Sequence, residues 1–325
     1  MTRLLSASRA DIAAAAAMLR AGKLVAFGTE TVYGLGADAT NGRAVASIFA
    51  AKGRPHFNPL ICHFADAGAA FAHVHASDLA QTLAAAFWPG PLTMVLSRRV
   101  TSGVDLLAGA GLDTLAIRVP GSPPARDLLG EAGIPVAAPS ANRSGSISPT
   151  TASDVLAELS GRIDAVLDFG PATVGLESTV LDLTGPVPFL LRPGGIPIEG
   201  IAALCGRIGT GISLLQAEAS RGLRSPGLLV SHYAPVLPVR LNALEAAAGE
   251  ALLAFGPHPP EAALVYQLSP DGDLQEAAAR LFSGLRWLDV EGRGRGLSRI
   301  ATMKVPEHGL GAAINDRLQR AASPR

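Results

Sequence analysis

Ser8, followed by the acidic Asp11 and an apolar run to Leu19 that Gly22 closes, has the pattern of an N-capped helix with a glycine stop. The segment from Met1 through the alanine-rich run, interrupted by Asp11 and Arg20, is too short for a membrane span and lacks a cleavage signature. It reads as a surface helix. Residues 23–27 read as a strand that runs straight into the polar turn Gly28-Thr29-Glu30-Thr31, a strand-end position where side chains often meet ligands. Apolar spacing then predicts helices at 43–51, 78–87, 124–131 and 151–159, and strands at 59–64, 92–96, 114–119, 135–138, 163–168, 177–183 and 187–191. This alternation marks an α/β layer protein.

From Gly206 to about Ser231 the periodicity fades into Gly, Ser and Arg, the composition of a linker. Beyond it 236–241, 251–255 and 262–268 read as strands. A helix follows with Leu274, Ala278, Leu281, Phe282, Leu285 and Leu288 on one face, then 299–305 and a last helix ending near Gln319. The chain therefore divides into a first domain at 1–205, a linker at 206–235 and a small α/β domain at 236–325, with no internal repeat.

Composition changes the picture in two ways. Lys+Arg equals Asp+Glu at 27 each, and a neutral balance speaks against a surface built for duplex nucleic acid, whose binding rests on many phosphate contacts. Cys62 and Cys205 are the two cysteines and have no CxxC or Cys/His spacing, which indicates neither a disulfide framework nor a zinc site and fits a reducing compartment. The sequence contains no GxxxxGK[ST] loop, no GxGxxG after a strand, no HExxH and no GxSxG.

Candidate chemistry sits in the polar breaks. Lys52 is one of three lysines and stands with Arg54 and Asn58 between a predicted helix and strand. A point charge beside a planar fork suits polyphosphate oxygens, and a solvated turn is the alternative. Ser140 and Asn142 follow strand 135–138, at the carboxyl end where open α/β sheets bind ligands; a Ser- or Asx-stabilised turn is the alternative. Arg118, inside an apolar strand, needs a partner for its charge, either a substrate carboxylate or an internal salt bridge. His63 poses the same choice and counts as functional only if Arg118 lies beside it. Weaker signals are 175–179, 192–195 and Ser225-Pro226-Gly227 with His232-Tyr233-Ala234-Pro235, where an aromatic could cover a nucleotide or pack one domain on the other. Gly292-Arg293-Gly294-Arg295-Gly296 reads as a surface loop or a weak RNA contact.

Together these segments resemble the YrdC-like family of L-threonylcarbamoyladenylate synthases, in the longer form with an added C-terminal domain. The residues that carry the resemblance are Thr29-Glu30-Thr31-Val32-Tyr33-Gly34-Leu35-Gly36, Lys52-Gly53-Arg54-Pro55 with Asn58-Pro59-Leu60, Trp88-Pro89-Gly90-Pro91-Leu92-Thr93, Ala116-Ile117-Arg118-Val119-Pro120, Pro139-Ser140-Ala141-Asn142, Glu177-Ser178-Thr179-Val180 and Leu191-Arg192-Pro193-Gly194. Gly28 stands where the family usually has proline. The resemblance implies a twisted sheet whose concave face, flanked by helices, forms one large cavity for ATP and threonine, with a small Rossmann-like α/β domain after it. It implies that Lys52, Arg54, Asn58, Thr114, Ser140, Asn142, Ser148, Arg192 and Tyr233 lie around ATP, with Lys52 and Arg54 catalytic. Thr31, His63, Arg118, Ala138 and Ser178 would lie around threonine.

The implied reaction joins L-threonine, bicarbonate or CO2 and ATP into threonylcarbamoyl-AMP and pyrophosphate, for N6-threonylcarbamoyladenosine at adenosine 37 of transfer RNAs reading codons that begin with A. It implies a downstream transferase machinery, at most a weak transfer RNA contact, no membrane and a cytoplasmic location. Bringing an anion to a polyanion calls for positioning and charge neutralisation, with Mg2+ expected on the ATP phosphates and no metal site of the protein's own. The carbamate hydrolyses readily, so a lid is expected, and the linker with Tyr233 is the candidate. Two other readings are a non-catalytic RNA-binding module and a carbamoyl adenylation for metallocentre maturation. The lack of zinc-finger and acylphosphatase-like segments speaks against the latter.

Overall fold

The structure is a computed structural model that describes residues 1–55, 58–210 and 232–323. Most of the expected linker, including Ser225-Pro226-Gly227, lies outside the described residues, as do His56 and Phe57. The first part of the chain runs β1 (Arg3–Leu5), α1 (Arg9–Arg20), β2 (Val25–Phe27), β3 (Gly34–Asp38), α2 (Gly42–Lys52), β4 (Ile61–His63), α3 (Ala67–Phe71), α4 (Asp78–Phe87), β5 (Leu92–Ser97) and β6 (Thr114–Arg118). It continues with α5 (Pro123–Ala132), β7 (Val136–Ala137), α6 (Ala152–Leu159), β8 (Ala165–Leu167), β9 (Thr179–Asp182), β10 (Phe189–Arg192) and α7 (Ile198–Cys205). The second part holds β11 (Val239–Arg240), β12 (Glu250–Ala254), β13 (Val265–Gln267), α8 (Leu274–Gly294), β14 (Arg299–Thr302) and α9 (Gly311–Ala322).

The helices start where the sequence places a cap. Ser8 accepts from the Asp11 amide, and Thr151 and Asp154 form a reciprocal capping box ahead of α6. The strands assemble into a mixed ten-stranded sheet, order β1-β8-β2-β3-β7-β4-β6-β5-β9-β10, and a parallel four-stranded sheet, order β11-β14-β12-β13.

Two expectations are corrected. Residues ahead of Ser8 form a strand rather than part of a surface helix, because Arg3–Leu5 pair in parallel with Ala165–Leu167 at the sheet edge. Residues 292–294 close the 21-residue helix α8, so that only Arg295 and Gly296 form the exposed turn expected there. A Cβ on Gly292 would stand 2.9 Å from Leu237 Cδ1, so the glycine there serves packing, not a loop.

Period-two alternation decides which side chains reach the concave face. Cys62, Met94, Ile117 and Ala137 point into the largest core, under α2, α4, α6 and α7. Ile61, Val95, Ala116 and Val180 form a smaller cluster on the other face, and His63 and Arg118, two residues on from Ile61 and Ala116, share that side. Helices α1 and α5 cover part of the same face, against Phe27, Val136 and Ala138. The second part of the chain closes much of the remainder: Val32, Ile147 and Leu176 belong to one core with Leu281, Phe282, Leu285 and Ile314.

Candidate functional site

The uncovered part of the concave face is a narrow cleft of about 50 Å3. Its walls come from the turn after β2 (Thr29, Thr31, Val32), from Ile61 and His63 of β4, from Arg118 of β6 and from Ala138, Pro139 and Ser140 after β7. Glu177 and Ser178 before β9, Arg192 of β10, Arg54, His232 and Tyr233 complete it.

Thr29 folds the first wall back on itself: its hydroxyl donates to Val32 O at 2.6 Å and lies 2.7 Å from the Thr31 hydroxyl. His63 and Arg118 are register partners in adjacent parallel strands, so the condition set by the sequence is met. The charge of Arg118 has an internal partner, Glu30, at 2.5 Å. The second oxygen of Glu30 accepts from the Ser122 amide at 3.1 Å. Burial raises the Glu30 carboxyl, but the Arg118 charge together with hydrogen bonds from the Gly121 backbone and from Arg118 outweighs it, and the group lies below its ordinary range. Burial also pushes the His63 imidazole down to about 3, with Arg118 adding to the effect, so the ring is neutral at any ordinary pH.

Ser178 Oγ lies 2.7 Å from the Thr93 hydroxyl, and Arg192 donates to Ser178 O through Nε (3.2 Å) and Nη2 (2.9 Å). Close approach makes this possible, since a Cβ on Gly194 would lie 2.3 Å from Glu177 O and 2.4 Å from the Ser178 carbonyl carbon. Glu177 accepts from Ser148 Oγ at 2.6 Å on one oxygen and from Arg317 Nε at 2.9 Å on the other. Burial raises this carboxyl, but Arg317 and then Arg192 overcome that and bring it down to about 2.

Other sequence candidates stand behind the walls. Lys52 is buried, and its Nζ donates to Ser140 O at 2.6 Å and to the Asn142 carbonyl, bracing the 140–142 loop from outside the cleft. Burial, then the charge of Arg54, lowers its ammonium well below the ordinary lysine value. Asn142 Nδ2 donates to Ser146 O at 2.7 Å. Thr114 lies at the opposite end of β6 from Arg118, paired with Ser97, on the order of 13 Å away along the strand.

Several buried polar atoms have no partner among the described residues: Arg54 Nε, both amide atoms of Asn58, His232 Nδ1 and Arg317 Nη2. Buried polar groups are ordinarily satisfied, and of these exceptions Arg54 and His232 line the cleft, where an unsatisfied polar atom points to a polar ligand. No ion pair to a carboxylate engages Lys52, Arg54 or Arg192 among the described residues, whereas Arg118 and Arg317 are each paired. Glu30 and Glu177 stand in the motifs that carry the resemblance with no role implied for them, and Arg317 lies outside every one of those motifs. The available signal was an arginine on the apolar face of the last helix, in line with Ala313, Ile314, Leu318 and Ala321.

Residues 17–194 match the Sua5/YciO/YrdC family, described as telomere recombination, and residues 196–323 match the threonylcarbamoyl-AMP synthase C-terminal domain. A threonylcarbamoyl-AMP synthase of Bacillus subtilis is 40% identical over all of this chain and 96% of its own length. The chain belongs to the threonylcarbamoyl-AMP synthase family. Another member, from Pyrococcus abyssi, is 39% identical over 96% of this chain and 94% of the relative. The crystal structure of P. abyssi Sua5 complexed with L-threonine superposes with a TM-score of 0.88 at 37% identity, covering 99% of this chain and 97% of that one. The shared fold thus spans both sheets of this threonylcarbamoyl-AMP synthase family member, and no helix among the described residues is long and apolar enough to cross a membrane.

Proposed function

We propose that this chain condenses L-threonine, bicarbonate or CO2 and ATP into L-threonylcarbamoyl-AMP and pyrophosphate. The observation that carries the reading is the division of charge in the cleft. Glu177 in its wall and Glu30 behind Arg118 are each held by an arginine, while Arg54 and Arg192 in the wall, and Lys52 behind it, have no carboxylate partner among the described residues. Such a surplus of buried cations suits a polyphosphate.

In this reading the threonine carboxylate approaches Arg118, sharing it with Glu30, and Thr31 or Ser178 meets the substrate hydroxyl. The substrate amine adds to CO2 and gives up a proton to form a carbamate. A carbamate oxygen then attacks the α-phosphorus, the bond to the β-phosphate oxygen breaks, and pyrophosphate leaves. Arg54 and Arg192 offset the charge that gathers on the phosphates, and Lys52 fixes the Ser140 loop against them. The buried, neutral His63 holds shape beside the carbamate rather than carrying charge. Mg2+ arrives with the nucleotide as part of the substrate, a fit to a cleft whose carboxylates are already engaged. The product would go to a separate transferase that modifies adenosine in transfer RNA, in the cytoplasm.

The test is pyrophosphate release by the full chain with Mg-ATP and bicarbonate, comparing L-threonine with L-serine, L-valine and no amino acid. Release should require both threonine and bicarbonate, and Arg192→Ala and Arg118→Ala should each lower it by about 100-fold or more. No threonine-dependent release, alongside salt-sensitive RNA affinity, would replace this reading with the RNA-binding one.

A further inference from the structure

We propose that Arg317, on the last helix of the second domain, is a positioning residue for the cleft: it holds the Glu177 carboxylate away from Arg192, so that Arg192 keeps its charge for the nucleotide phosphates. The inference rests on the proposed reading that Arg192 faces a polyphosphate.

Arg317 is the largest fully buried side chain among the described residues, at 0% exposure. It reaches out of α9 into the first domain, where Nε donates to Glu177 at 2.9 Å and Nη1 donates to Pro193 O at 2.9 Å. The same nitrogen meets Asp316 at 2.7 Å, and the guanidinium carbon lies 5.3 Å from the centre of the Tyr233 ring. Arg317 therefore touches both strand ends that carry the phosphate-facing wall, one residue before Ser178 and one after Arg192.

Glu177 has Arg317 as its ion-pair partner, while Arg192 binds the neighbouring residue, Ser178. Arg317 holds one oxygen and the Ser148 hydroxyl the other, so both are drawn off Arg192. Arg192 is bound instead to the neutral Ser178 carbonyl, although Glu177 and Arg192 still feel each other's charge. Remove the Arg317 charge, and a buried carboxylate is left with one hydroxyl and a cation next door. A buried, unpaired carboxylate must find a cation or take a proton. Arg192 is the near cation, and pairing with it would take a charge out of the phosphate site. The second domain thus sets the electrostatics of a cleft whose lining it scarcely enters.

The experiment uses full-length Arg317→Met, Arg317→Lys, Glu177→Gln and the Arg317→Met/Glu177→Gln pair, and measures ATP affinity by equilibrium dialysis at several salt concentrations. KM for ATP and for threonine follow from pyrophosphate release. Arg317→Met should weaken ATP binding at least 10-fold with a much smaller change in threonine KM. Arg317→Lys should stay within about threefold of the parent, and the double variant within about threefold of Glu177→Gln, because no carboxylate remains to capture Arg192. A double variant as weak as Arg317→Met, or Arg317→Met with parental ATP affinity, overturns the inference. A parent chain that binds ATP but releases no pyrophosphate with threonine overturns the functional reading instead, and the dialysis series still decides this one. A parent that binds no ATP overturns both.

Discussion

Burial holds His63 and His232 at about 3, so each is neutral inside the fold while the unfolded chain takes up a proton near 6.5. Each therefore contributes stability that is whole above pH 6.5 and is lost as pH falls towards 3, because there the unfolded state binds the extra proton. Between pH 6.5 and 5 the loss is about 2 kcal/mol per histidine. Thermal unfolding of the parent should show that slope, and His63→Gln should remove about half of it; equal slopes in the two proteins would refute the assignment. Glu177, held at about 2, adds a loss in the same direction at still lower pH. At this scale much of the site was legible: Thr31, Arg118, Ser178 and Arg192 each interrupt or border an apolar strand, and polar groups seldom sit there unpaired. Which arginine each carboxylate faces was not legible. Glu30 lies 88 residues from Arg118 and Glu177 lies 140 from Arg317, and no local pattern encodes such pairings.

Among the elements, the capped helices could be read to within a residue or two, since cap, period and stop agree for α1, α2, α4 and α6. Strands were harder. β1 has three residues, too few to show a period, and exists because β8 offers its edge. β3, Gly-Leu-Gly-Ala-Asp, looks like a turn until its pairing with β2 explains the glycines: a Cβ on Gly36 would stand 2.9 Å from Phe27. The same reasoning gives a prediction for the turn after β10. Gly194→Ala places a methyl within 2.3 Å of Glu177 O and must push the 177–179 backbone aside. The variant should lose about 1–3 kcal/mol of stability and raise the threonine KM at least 10-fold. Calorimetry and steady-state kinetics check it, and a parental threonine KM would show that Ser178 does not depend on this contact.

For the whole molecule, the question is how a four-stranded domain comes to bear on a cleft in a ten-stranded one. Gly175, at φ +72°, lets the first domain approach the backbone of α8: an added Cβ would meet Ala279 Cα at 2.5 Å and Ala278 O at 2.7 Å. Arg286 of α8 fastens the other side, with contacts to Asp154 at 3.2 Å and Glu158 at 2.9 Å and a bond to Ile147 O. Gly175→Ala should thus loosen the docking. Faster limited proteolysis, a lower melting temperature and weaker ATP binding should appear together, and unchanged proteolysis would mean that the domains are held without it. The faded periodicity falls between the two sheets, but the core that joins them was not legible, because Val32, Ile147 and Leu176 look like ordinary loop hydrophobics until they are seen in one core with Phe282. The strand order has a consequence for synthesis on the ribosome. β1 emerges first and must wait for β8, about 160 residues later, and Glu177 waits a further 140 for Arg317. A nascent chain therefore carries Glu177 without its Arg317 partner, and with Arg192 as the cation at hand, until the last helix has been made. A message cut short before that point would yield a product with most of the sheet and a miswired cleft, and such long-range closure makes folding slow and late rather than progressive.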